Sequence, residues 1–155
     1  TTGLSGPRSV LVDTTNNEIF VSNGSGTVTV YGRLHSGNVS PTRTLTGLNS
    51  PNGILLDLAS QELWVTNSDN SVRVFARTAS GDAAPVRTLV GASTQLNRPK
   101  ALVLDSAKNE VYVSNSDNSV SVFARTANGN VAPLRRISGA TTELDSPNGM
   151  LLFQP

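Results

Sequence analysis

Apolar and polar positions alternate along this chain in short stretches, with no helical spacing. Val10-Leu11-Val12-Asp13 is followed by Ile19-Phe20-Val21 and then by Val28-Thr29-Val30-Tyr31. The apolar positions are mostly β-branched or aromatic, and a period of two with that residue choice predicts strands. Four strands are expected per unit. The first is Val10–Asp13, Ile54–Asp57 or Ala101–Asp105, and the second is Glu18–Asn23, Glu62–Asn67 or Glu110–Asn115. The third is Thr27–Gly32, Ser71–Ala76 or Ser119–Ala124, and the fourth is Thr42–Thr46, Val86–Val90 or Leu134–Ser138. The first strand is apolar on both faces, as a strand buried between neighbours should be. The fourth carries Arg43, Arg87 and Arg135 at matching places, and charge of that kind blunts an exposed sheet edge.

The units are copies of one another. Pro51-Asn52-Gly53-Ile54-Leu55-Leu56-Asp57 recurs as Pro99-Lys100-Ala101-Leu102-Val103-Leu104-Asp105. Diverged copies stand at Pro7–Asp13 and Pro147–Phe153, and successive prolines are separated by 44, 48 and 48 residues. Four strands graded from buried to charged and repeated at that period predict β-propeller blades. The expected fold is all-β, a β-propeller segment of three four-stranded blades plus one extra strand, Gly149–Phe153. The repeats cover about 7–50, 51–98 and 99–146, with a partial repeat at 147–155, read together as a single segment.

The repeated text is Pro-x-Gly-aliphatic-x-x-Asp, then aromatic-Val-Thr/Ser-Asn, then Val-x-Val-Phe, and it resembles NHL-type repeats. Trp64-Val65-Thr66-Asn67 is also similar to the signature of the YVTN propeller repeats of microbial surface proteins. The resemblance implies a propeller fold. It leaves function open among binding modules, structural surface proteins and lactonases, because one fold hosts many sites. The last copy departs from the pattern, with Phe153 where the others have Asp.

Known propellers close with about four to eight blades, so an arc of three leaves two bare apolar faces. At ~500 Å² per face the two forfeit on the order of 25 kcal/mol. Even halved for a compact unfolded chain, that rivals the ~5–15 kcal/mol stability of a domain. The faces need covers. Either two copies self-associate into a six-bladed ring about a two-fold axis, or missing blades of a longer chain supply them.

Composition narrows the function classes. Twelve Lys plus Arg against 11 Asp plus Glu leave a net charge of +1, too little to hold nucleic acid by counterion release. The longest apolar runs are four or five residues, so no membrane span is expected. No cysteine means no disulfide, zinc-thiolate site or thiol nucleophile, and one histidine, His35, leaves few ways to build a catalytic triad. No basic-then-apolar leader follows Thr1, so a signal peptide is expected to have been removed or never present.

In a propeller, the loops entering the first strand and the hairpin between the second and third share one face. That geometry places Arg8, Asn52, Lys100 and Asn148, each just after a proline, around the axis as the candidate ligand-binding ring. Two cations and two amides suit a carboxylate or sugar hydroxyls, hence a glycan or peptide ligand. The alternative is that loop tips are free to vary. Asn67-Ser68-Asp69-Asn70-Ser71 begins like a calcium loop, but Val72 and Thr78 stand where Gly and Glu belong, and so do Val120 and Thr126 in the next copy. Turn chemistry explains those residues better.

Glu18, Glu62 and Glu110 open the second strands, and hairpin geometry sets Glu18 beside Arg33 and Glu62 beside Arg77, as structural ion pairs. Asp13, Asp57 and Asp105 are expected to cap turn amides. His35 lies in a loop with no adjacent carboxylate and reads as solvated. Asn23-Gly24-Ser25 and Asn38-Val39-Ser40 are glycosylation sequons by letter. No catalytic residue, metal ligand or cofactor site is expected. The leading expectation is a non-enzymatic binding or assembly module, extracellular or at a microbial cell surface. A lactonase-like hydrolase and a structural element polymerising through open blade ends are the alternatives.

Overall fold

The computed structural model describes residues 1–153. Twelve strands form three four-stranded antiparallel sheets, each a consecutive meander. The first blade is β1 (Pro7–Asp13), β2 (Glu18–Asn23), β3 (Thr27–Gly32) and β4 (Arg43–Leu45). The second is β5 (Ile54–Asp57), β6 (Glu62–Asn67), β7 (Ser71–Ala76) and β8 (Arg87–Leu89). The third is β9 (Leu102–Asp105), β10 (Glu110–Asn115), β11 (Ser119–Ala124) and β12 (Arg135–Ile137). The inner strands β1, β5 and β9 are neighbours in turn, so the sheets fan out from one line. This is a propeller segment of three blades.

The middle strands of each blade begin and end where the alternation places them. The outer strands are three residues long where five were expected. Thr42 N–H still bonds Val30 O at 2.7 Å, but Thr46 N–H turns away to Gly81 O of the next blade at 2.8 Å. The ladder thus passes from the blade's own sheet to its neighbour. β1 starts at Pro7, earlier than expected, through a register slip between Pro7 and Ser9. β9 starts one residue late, at Leu102.

Gly149–Phe153, expected as a thirteenth strand, forms no ladder. An inner strand gets its hydrogen bonds from the second strand of its own blade, and none of the described strands pairs with these residues. Met150, Leu151 and Leu152 line one cavity with Val103 and Tyr112 of the third blade, at the repeat position of an inner strand. A short 3-10 helix at Ala92–Thr94 and another at Ala140–Thr142 were not anticipated. Gly47-Leu48 in the first connection aligns with Gly91 and Leu96 in the second, so four inserted residues make this turn and change the period from 44 to 48.

The apolar core lies between sheets, as face-to-face packing of pleated surfaces requires. Phe20, Val28, Val30 and Leu45 of the first blade meet Ile54, Leu63, Val65 and Phe75 of the second. Trp64, Val72, Val74 and Leu89 of the second meet Leu102, Val111, Val113 and Phe123 of the third. Trp64 is fully buried, and its indole N–H has no acceptor among the described residues. The guanidinium of Arg87 covers its ring at 5.3 Å, as Arg43 covers Phe20 at 5.4 Å.

The expected ion pairs form with other partners. Glu18 does sit opposite Gly32. Arg33, however, donates to Asn17 Oδ1 at 3.1–3.2 Å, and Glu18 is held by Arg43 of β4. Glu62 is held by Arg87 at 2.6 Å, and Glu110 by Arg135 at 2.6 Å. The planar guanidinium of the outer strand, laid across the ring beneath it in the first two blades, reaches the carboxylate with two parallel N–H donors. The arginine following the third strand points past its own hairpin to the preceding blade. Arg77 bonds Glu18 at 2.5 Å and lies 3.8 Å from Asp13, and Arg125 bonds Asp57 through two nitrogens at 2.5 and 2.7 Å. The aspartates also cap turns as anticipated: Asp13 accepts from the amides of Thr15 and Asn16, and Asp57 from Ala59 and Ser60.

Candidate functional site

Four repeat-equivalent segments converge at one end of the axis. Each mouth residue follows a proline, whose ring fixes φ, and the residue before each proline has positive φ. These are Gly6 (62°), Ser50 (45°), Arg98 (42°) and Ser146 (48°). Three are not glycine, and a left-handed non-glycine residue costs of order 1 kcal/mol or more, strain that the surroundings must hold in place. The reversal turns the chain inward so that the next residue reaches the mouth.

What holds the reversal is a buried side chain. Asn23, Asn67 and Asn115 end the second strands and are fully buried. The Oδ1 of each accepts the backbone N–H of Ser5, Asn49 and Asn97 respectively, at 3.1 Å in every blade. The Nδ2 donates back to Val21, Val65 and Val113. These asparagines were expected among the turn residues on the loop face. They are struts between the second strand and the loop entering the first. Their recurrence at one position in every copy was the available signal, but turn formation predicts the same letter.

The hydroxyl one residue earlier ties blade to blade. Ser22 Oγ donates to Asn52 O at 2.5 Å, and Thr66 Oγ1 to Lys100 O at 3.0 Å. Both hydroxyls also accept an amide of their own inner strand. The inner strands therefore pack closely, and a Cβ at Gly53 would lie 2.1 Å from Lys100 O. These bonds set the mouth backbones of the three blades, at Arg8, Asn52 and Lys100.

Arg8, Asn52, Lys100 and Asn148 line one cavity of about 240 Å³, together with Ser9, Gly53 and Gly149. Arg8 donates to Ser50 O at 3.2 Å, and Lys100 Nζ to Ser146 Oγ at 2.7 Å. Both acceptors are neutral, so among the described residues neither cation is offset by a carboxylate. The cavity lining holds no carboxylate and no imidazole. The volume is below the ~300–1,000 Å³ of pockets for drug-sized ligands, so it admits one small polar unit.

The entry loops and hairpin turns share this face. Arg98 N–H bonds Asn70 Oδ1, and Ser68 Oγ bonds Ser50 O. In the calcium-like loop, Asp69 accepts from Ser71 Oγ at 2.5 Å and from Arg73 at 2.8 Å. Asp117 is engaged likewise by Ser119 and Arg136. Among the described residues no three His, Cys, Asp or Glu side chains are grouped to hold a metal ion. No helix there is long and apolar enough to cross a membrane. His35 packs over Gly32 and lines a small groove with Leu4, Ile19 and Tyr31.

Away from the mouth, the arginine-bound carboxylates Asp13, Glu18, Asp57, Glu62 and Glu110 titrate low. Bonds from Arg43 and Arg87 hold Glu18 and Glu62 below the usual range. Arg135 brings Glu110 down to about 2. Burial pushes Asp57 up, but bonds from Arg125 and Ser60 outweigh it, and the net shift is downward. All are structural clamps.

Fold and site together define a three-blade propeller segment with a cationic, amide-bearing mouth. No protein-family model matches the chain, and no curated protein is similar enough to count as a relative.

Proposed function

We propose that this chain is a non-enzymatic binding and assembly module that takes a small anionic or polyhydroxylated group at the mouth. The supporting observation is the convergence of Arg8, Asn52, Lys100 and Asn148 on one cavity of about 240 Å³ with no carboxylate in its lining. Two cations with neutral acceptors and two amides offer charge-assisted donors to a carboxylate and matched donors and acceptors to sugar hydroxyls. The fit is to the acidic terminal unit of a glycan or to an acidic peptide side chain. In this reading the chain belongs with the NHL- and YVTN-type repeats its text resembles, and works outside the cell or at a cell surface. The catalytic carboxylates or histidines of a lactonase-like hydrolase have no counterpart in the lining.

The test is binding to an array of uronic-acid glycans and acidic peptides, followed by titration of the strongest binder. An Arg8→Ala/Lys100→Ala variant should bind at least ~10-fold more weakly, the loss of one charge-assisted bond or more. Unchanged affinity in that variant, or no glycan or peptide bound by the parent, overturns the mouth as the binding site.

A further inference from the structure

The two internal junctions show what each open face takes. At each, the arginine after the third strand of one blade seats on the acidic end of the blade before it: Arg77 on Asp13 and Glu18, Arg125 on Asp57. The outer-strand arginine of the earlier blade then bonds the carbonyl of that incoming arginine, Arg43 to Arg77 O and Arg87 to Arg125 O, each at 3.3 Å. Alongside, an incoming glycine exchanges two backbone bonds with the outer strand. Gly81 bonds Thr44 O and Thr46 N, and Gly129 bonds Thr88 O and Val90 N.

Each end of the arc carries one half of this junction. The first blade presents Arg33 and Gly37, repeat equivalents of Arg77 and Gly81. Gly37 has φ 75°, close to the 63° and 77° of Gly81 and Gly129, so this glycine already has the left-handed backbone of its docked equivalents. Among the described residues Arg33 has no carboxylate partner. The third blade presents Asp105, Glu110 and Arg135, and Asp105 has only Lys108 at 3.9 Å.

The apolar faces divide the same way. Val10 is 65% exposed, where its equivalents Ile54 and Leu102 are 7% and 8%. Ile137 is 54% exposed, where Leu45 and Leu89 are 1%. Residues 149–153 cross part of the third blade's face without a ladder, with Leu151 and Phe153 largely exposed.

We propose that two copies of this chain close head to tail, Arg33 of each seated on Asp105 and Glu110 of the other. This gives the assembly half of the proposed function its interface, and rests on that half. Whole copies bring blades in threes, and between about four and eight blades the one multiple of three is six. The ring has a two-fold axis along the propeller axis and two identical junctions. The β1 strand of the second copy displaces residues 149–153 from the third blade, and its Arg8 takes the repeat position of Asn148 at the mouth.

Light scattering on the full chain across ~1–100 μM should give a species of twice the 16.2 kDa chain mass. Arg33→Glu sets like charges against each other at both junctions and should weaken dimerisation at least tenfold. Ile137→Glu, an exposed position on the other face, should do the same, and Val86→Glu, at the exposed outer edge of the middle blade, should change nothing. A 16.2 kDa species at the highest concentration overturns the proposal together with the assembly reading. Mass that grows past the dimer, or a dimer indifferent to both Arg33→Glu and Ile137→Glu, overturns the two-copy junction while leaving assembly standing.

Discussion

Trp64 permits a sharp test of how the sheets are held together. It is fully buried between the second and third blades, packed among Val72, Leu89, Val111 and Phe123. Truncation to alanine removes the largest buried side chain and leaves a cavity between two rigid sheets, at a cost of about 4 kcal/mol. Trp64→Phe is different. The first blade has Phe20 at the equivalent position, likewise fully buried and likewise beneath an arginine. The phenyl ring keeps most of the contact and the cation above it. It also removes an indole N–H that has no acceptor among the described residues, and such an orphan costs about 1–3 kcal/mol. That relief opposes the smaller cavity, so the net loss should be under about 1.5 kcal/mol.

Trp64 is the sole tryptophan, so both variants lose intrinsic indole fluorescence, and urea unfolding must be followed by far-ultraviolet circular dichroism. All chains are compared at one concentration, because any association shifts the midpoint. The slope of the transition should be unchanged, because the surface exposed on unfolding is nearly the same. If Trp64→Phe costs as much as Trp64→Ala, the orphaned N–H and the equivalence with Phe20 are both wrong as explanations of this site.

Two further outcomes follow from the geometry. Glu18, Glu62, Glu110, Asp13 and Asp57 have folded-state pKa values below their ordinary 3.8–4.5. Their contribution is therefore complete above about pH 5 and lost as acid protonates them, down to about 2 for Glu110. The urea midpoint should be flat from pH 7 to 5 and fall steeply below 4.5; an equal midpoint at pH 3 refutes the clamps. Gly53→Ala should destabilise by about 2 kcal/mol or more, because its Cβ would meet the Lys100 carbonyl at 2.1 Å, a backbone atom that cannot swing aside. Gly149→Ala, with nothing within 4 Å, should stay within about 0.5 kcal/mol by the same measurement.

Much of the fold was legible because its signals are local. The second and third strands run from a Glu to an Asn and from a turn to a Gly or Ala, and pleat alternation bounds them well. In the first two blades the last amide of the outer strand pairs with the next blade, a choice no local pattern records. The arginine partners were missed for a related reason. Arg125 reaches Asp57 across 68 residues, and hairpin geometry alone offers it Glu110 instead. The mouth ring was readable because each member follows a repeated proline. The asparagine struts were not, since a buried amide and a turn amide are the same letter.

Those struts also set what the mouth can tolerate. Each fixes the chain two residues before the proline, at the same separation of 18 residues in every blade. The four extra residues at Ala92–Gln95 lie upstream of that anchor, and Lys100 still lines the cavity beside Arg8 and Asn52. Length added between an outer strand and its anchor is thus absorbed before it reaches the ring. New segments spliced there would decorate the rim while the geometry of the mouth stays put, which makes the connection after each outer strand a natural grafting point.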